Sequence, residues 1–244
     1  MSKYLILGAS SEVALSFIKA HEWSADDEIF AQYHSHKDAL EETVRKIPAR
    51  ASLHRADFMT EEGISDFVDA VRDEGFTPTH ILHAPAFPVK NARLTELEWG
   101  DFAGQLMIQV RSFFEVMKAV IKPMSKTGTG GKIVVVLSAY TMNVPPAYLA
   151  DYITAKYALM GLTKAIASEY AGKKILVNMV SPSMMETKFI AGIFSGVSEQ
   201  SAAKNPMKRN ARPEDAASLV EYLLSEGNTF ITGANIPVTG GEEY

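Results

Sequence analysis

The 244-residue chain contains no cysteine. Disulfides, thiolate metal sites, iron–sulfur clusters and a cysteine nucleophile are therefore excluded together. That absence fits a reducing compartment, and the expected location is the cytoplasm. Positive charge is not in excess: 24 Lys and Arg against 29 Asp and Glu leave −5 at neutral pH, which offers no field for nucleic acid. Long apolar runs are missing as well. The stretch from Ile133 to Leu137 falls far short of the roughly 20 residues that cross a bilayer, and Tyr4-Leu5-Ile6-Leu7 is too brief for a signal peptide. Histidine is absent beyond His83, and no Gly-x-Ser-x-Gly elbow occurs, which argues against a serine hydrolase. No metal site is expected: His34 and His36 share one side of an extended chain but have no third ligand nearby.

What remains is a chain that is 47% apolar, enough for a substantial core. Short apolar runs over 3–7, 28–33, 51–55, 80–82, 132–137, 175–180 and 235–238 read as strands. Most are continuous rather than alternating, as in strands covered on both faces. Helical patterns over 12–22, 37–47, 61–74, 101–124, 151–171 and 213–225 separate them. Regular β-α alternation predicts an α/β protein built on a doubly wound parallel sheet. With no linker or low-complexity segment, one domain over 1–244 is expected. The 101–124 and 151–171 helices are apolar on nearly every side. Such helices need cover on more than one face, so contact with a second copy of the chain is expected.

Three features carry chemistry. Gly8-Ala9-Ser10-Ser11-Glu12-Val13-Ala14 follows the first strand and opens a helix. Small residues there let backbone N–H groups approach a pyrophosphate, and the helix N-terminus adds partial positive charge. An ordinary β-α turn has a similar composition. Tyr152 and Lys156 are four residues apart, on one helical face. A neighbouring ammonium favours phenolate and is expected to draw the Tyr152 pKa from near 10 toward working pH. A solvated Tyr/Lys pair has the same spacing. Ser138 ends the fifth strand, at the carboxyl edge where open α/β sheets bind ligands.

Together, the Gly-Ala-Ser-Ser turn, Ser138, Tyr152 and Lys156 resemble the short-chain dehydrogenase/reductase family over essentially the whole chain. Lys132-Ile133-Val134-Val135-Val136-Leu137-Ser138 is similar to its fifth strand and serine, and Val177-Asn178-Met179-Val180-Ser181-Pro182 to its sixth strand, with Thr187 at the usual threonine. Ile231-Thr232-Gly233-Ala234-Asn235 resembles its last strand region. The length and C-terminal segments look most like bacterial 3-oxoacyl-ACP reductases. The resemblance implies a Rossmann fold of about seven strands with helices on both faces. It implies a homotetramer or homodimer and a small-molecule carbonyl substrate, free or carrier-bound. Tyr152 would protonate the carbonyl oxygen, Ser138 polarise it, and Lys156 hold the nicotinamide ribose, with Gln109 at the place of the family's asparagine. Gly8, Ser10, Ser11 and Val13 would line the dinucleotide, Asp57 and Phe58 the adenine, and His83, Ala84, Pro182 and Thr187 the nicotinamide half. Departures are His83-Ala84-Pro85-Ala86 for Asn-Asn-Ala-Gly, and Ser183 for a glycine.

After the second strand, Tyr33-His34-Ser35-His36-Lys37 carries no acid before Asp38. A carboxylate there would bind a ribose 2′-hydroxyl, whereas Ser35, His36 and Lys37 donate to phosphate oxygens, so NADP(H) is expected over NAD(H). The expected activity is reduction of a 3-oxoacyl thioester, ketone or ketose. The alternative is a catalytically weak dinucleotide-binding sensor or structural subunit, which the altered turns permit. Residues 183–206 mix apolar pieces with glycine and polar residues, as expected of a lid.

Overall fold

Among the described residues there are seven strands, mostly aliphatic and β-branched runs: β1 (Lys3–Leu7), β2 (Glu28–Tyr33), the more polar β3 (Arg50–Arg55), β4 (His80–His83), β5 (Gly131–Val136), β6 (Ile175–Pro182) and β7 (Asn235–Val238). This computed structural model describes residues 1–185, 187 and 196–242. The strands make one sheet in the order β3-β2-β1-β4-β5-β6-β7. Every pairing is parallel, with Tyr4 opposite both Ile29 and His80. Helices α1 (Glu12–Ala20), α2 (Lys37–Val44), α3 (Glu61–Asp73), α4 (Trp99–Leu106), α5 (Ser112–Lys126), α6 (Ala150–Tyr170), α7 (Val197–Lys204) and α8 (Pro213–Leu224) cover it.

The two-residue period of a strand sends neighbours to opposite faces. Leu5 and Leu7 therefore join Ile133, Val135, Phe113 and Leu159 in the core under α3, α5 and α6. Tyr4 and Ile6 join Phe17, Val134, Val180 and Leu223 under α1 and α8. Caps set the helix starts: the Ser11 hydroxyl accepts from the Ala14 N–H at 3.3 Å, and the Thr60 hydroxyl from the Gly63 N–H at 3.0 Å. Pro213 opens α8 with Glu214 and Asp215 in its first turn.

The expected 101–124 helix is three pieces. A π-turn over Met107–Arg111 separates α4 from α5, with the Ser112 N–H reaching back to the Met107 carbonyl. Periodicity alone could not show this, because one extra residue in a turn leaves composition unchanged. Helix α7 falls within the segment read as a lid. Most of the rest of that segment lies outside the described residues. Helix α4 packs on α6 within the chain, so part of the second cover expected from another copy is internal. Among the described residues, no helix is long and apolar enough to cross a membrane.

Candidate active site

Chain order reverses beside β1, whose neighbours are β2 and β4. The turns after β1 and β4 therefore part at the carboxyl edge and open a crevice, the usual ligand position in such sheets. Gly8 sits at its floor with φ +68°, and a Cβ there would come within 2.6 Å of the Pro85 nitrogen. Both the left-handed conformation and the close approach require glycine. The Gly8 N–H donates to Gln32 Oε1 at 2.8 Å, while Gln32 Nε2 donates to the Ala56 carbonyl at 2.7 Å. Gln32, only 3% exposed, thus ties together the turns after β1 and β3. Nothing in its sequence context marked it, since a glutamine in an apolar strand gives no motif.

A groove of about 460 Å³ runs from this crevice over the sheet edge. Gly8, Ser10 and Ser11 line its floor; Ser35, His36, Asp57 and Phe58 line one end, and Ala84 the other. His34, which also lines it, puts Nε2 3.8 Å from Asp57 Oδ2. The N-terminus of α1 faces this space, with the Glu12 side chain on its wall. The glycine cradle and helix N-terminus fit a dinucleotide diphosphate. Three expected contacts are placed off these walls. Tyr33 is buried in the core beside Ile6. Lys37 turns along α2 to pair with Glu41 at 2.9 Å, an i,i+4 contact that satisfies its charge locally. His83 points down into the molecule and is 1% exposed.

The groove continues into an apolar cavity of about 200 Å³. Ser138, Tyr152 and Lys156 stand on its wall with Val13, Pro182 and Thr187, and Val89, Pro146, Leu149, Met184 and Met185 supply apolar surface. Ser138 follows β5 and caps a short turn, accepting from the Tyr140 N–H at 3.3 Å. Its side chain acts on the Tyr152 phenol, drawing the phenol pKa down. Lys156, one turn further along α6, donates from Nζ to the Val136 carbonyl at 3.0 Å and lies 5.6 Å from the Tyr152 ring centre. The three expected side chains meet.

Their electrostatics depart from expectation. Burial pushes the Tyr152 phenol up to about 12, against an opposing pull from Ser138. Burial also brings Lys156 down to about 7. Lys156 does not offset the desolvation of Tyr152, because it gives up its own proton near 7 and is neutral before the phenol titrates. Gln109 is also differently placed. It sits in the π-turn, wholly enclosed, with Nε2 donating to Gln105 Oε1 at 2.6 Å. Its side chain does not line the cavity.

Known proteins share this architecture. Residues 19–243 match the family model described as Enoyl-(Acyl carrier protein) reductase. Cis-4-hydroxycyclohexanecarboxylate dehydrogenase of Sinomonas cyclohexanicum is 30% identical over 84% of this chain and 81% of its own length. The 3-oxoacyl-[acyl-carrier-protein] reductase FabG of Chlamydia pneumoniae is 24% identical over 99% and 97%. Dehydrogenase/reductase SDR family member 4 of Oryctolagus cuniculus is 35% identical over 61% of this chain, and the match spans 56% of that protein. The solved structure of NAD+-bound xylitol dehydrogenase superposes with a TM-score of 0.85 at 26% identity, covering 98% of both chains. With a parallel sheet of this order and a Ser–Tyr–Lys group at its carboxyl edge, the chain belongs to the short-chain dehydrogenase/reductase family.

Proposed function

We propose that the protein is an NADP(H)-preferring oxidoreductase that reduces a ketone or 3-oxoacyl thioester to the alcohol, with Tyr152 as acid/base. The observation that carries this reading is the meeting of Ser138, Tyr152 and Lys156 on the wall of an apolar cavity that opens from the dinucleotide groove. The two hydroxyls there converge on one carbonyl oxygen, Ser138 polarising it and Tyr152 delivering the proton. A bound nicotinamide cofactor supplies the hydride. Lys156, with Nζ 5.6 Å from the Tyr152 ring centre, would hold the nicotinamide ribose beside the phenol. Val89, Leu149, Met184 and Met185 favour an apolar substituent over the hydroxyls of a ketose.

NADP(H) preference rests on Ser35, His34 and His36 at the groove's ribose end and on the absence of a carboxylate within that turn. Among named relatives and solved neighbours both cofactors occur: xylitol dehydrogenase was solved with NAD+, and L-sorbose reductase of Gluconobacter frateurii, 23% identical, with NADPH. A second reading, a weakly catalytic dinucleotide sensor, is favoured by Glu12, an acidic residue among those lining the groove. NADPH oxidation against a panel of ketones and 3-oxoacyl thioesters decides between them. Turnover that falls at least about 10²-fold in Tyr152→Phe, with cofactor still bound, supports the reductase. Tight cofactor binding without turnover across the panel supports the sensor.

A further inference from the structure

His83 ends β4 at the switch point, where the family places asparagine. Its ring packs against Phe113, with centres 4.7 Å apart. Nε2 lies 3.0 Å from the Gln109 carbonyl oxygen in the π-turn. A carbonyl only accepts, so the imidazole proton sits on Nε2 and Nδ1 keeps its lone pair. That lone pair is buried, and no donor among the described residues bonds to it. Buried acceptors of this kind are rare and call for a partner.

Lys156 is a cation that acts on this imidazole. His83 registers against Val135 across β4 and β5, and the Lys156 ammonium is bonded to the very next carbonyl, that of Val136. Its charge acts on His83 directly and, with burial, holds the imidazole neutral. An ammonium has three donors, and the Val136 carbonyl takes one. Tyr152 on its own helix and His83 from β4 are titratable side chains set against Lys156.

We propose that His83 is a positioning residue for Lys156. Its Nε2–H is anchored on the Gln109 carbonyl, and its Nδ1 lone pair accepts from one water that Lys156 Nζ donates to, holding the ammonium near Tyr152. This rests on the acid/base reading above. It also gives the π-turn a purpose: the turn presents a carbonyl that fixes the tautomer of the imidazole.

Two isosteric replacements separate the two nitrogens. His83→Gln places its amide nitrogen near the Nε2 position and keeps the anchor but loses the acceptor at Nδ1. His83→Asn places its amide oxygen near the Nδ1 position and keeps the acceptor but loses the anchor. The alkaline limb of the kcat–pH profile should move down by about one unit in His83→Gln, a tenfold change in the Lys156 proton equilibrium. It should stay in place in His83→Asn, which loses thermal stability instead. Equal limbs in wild type and both variants overturn the positioning role. Retained turnover in Tyr152→Phe overturns the acid/base reading instead, so the two failures are distinct. Imidazole 15N spectra of the ligand-free protein give a readout independent of turnover and of variant folding at position 83. The wild type should show the Nε2–H tautomer, with an Nδ1 resonance that moves toward the free-lone-pair position in Lys156→Met. An unmoved Nδ1 resonance overturns the proposal.

Discussion

A buried lysine brought down to about 7 is a cost to the fold as well as a tool of chemistry. The unfolded chain holds its Lys156 proton up to the ordinary value near 10.4, while the folded chain releases it near 7. Between those values the unfolded state binds more protons, so stability from this group rises with pH and is lowest below about 7. Lys156→Met should therefore melt higher than wild type at pH 7, with the gap closing as pH approaches 10. Calorimetric melts at four or five pH values test this, and a gap that does not change with pH would contradict the burial of the ammonium. At the other end of the groove, the cofactor preference depends on charge. Ser35 lines the ribose end, and a carboxylate in its place would repel a 2′-phosphate and bind a 2′-hydroxyl. Ser35→Asp should reverse the ratio of NADPH to NADH affinity, measured by fluorescence titration. Lys37→Ala should change the ratio little, because Lys37 is engaged with Glu41. A wild-type protein that binds NADH as tightly as NADPH would refute the preference.

Between elements, the groove depends on one side chain inside the sheet. Gln32 satisfies the Gly8 N–H and the Ala56 carbonyl at once. Gln32→Leu leaves both buried without partners, at about 1–3 kcal/mol for each unsatisfied group. For a protein of this size each kcal/mol is about 2–4 °C, so the melting temperature should drop by several degrees. Cofactor affinity should weaken with it, because the Gly8 turn loses its support. Normal cofactor affinity in that variant would show that the turn holds itself. Strand positions, helix positions and the Ser138–Tyr152–Lys156 meeting point were legible in sequence. Each rests on periodicity or on i,i+4 spacing, which are local. What local pattern did not show is set by tertiary contact: the π-turn that splits α4 from α5, the enclosure of Gln109 and His83, and the partnership of Gln32 with two distant turns. The Tyr152 pKa departs from the sequence expectation for the same reason, since burial raises the phenol and brings the neighbouring lysine down before it can act.

For the molecule as a whole, the outer faces of α5 and α6 remain to be accounted for. Phe113, which sequence alone could assign to an outer face, is fully buried in the core. Its neighbour Phe114 is 46% exposed, and on α6 Tyr157 is 39% exposed. Exposed Ala158, Gly161 and Ala165 follow Tyr157 at helical spacing. On α6 this surface combines an aromatic side chain with small residues that permit close helix approach. It suits a self-complementary contact in which the same face serves both copies about a two-fold axis. Such a contact would lie on the outer side of the helix that carries Tyr152 and Lys156, so pairing would also hold α6 in place behind the cavity. Light scattering at micromolar concentration should give a dimer or tetramer. Ala158→Arg should reduce the assembly by at least one two-fold step, because a long cation cannot be accommodated where small residues meet. Phe113→Ala should instead destabilise each subunit by about 3–5 kcal/mol, as expected for a large core residue. A wild-type monomer at that concentration, or an unchanged mass in Ala158→Arg, would place the interface elsewhere.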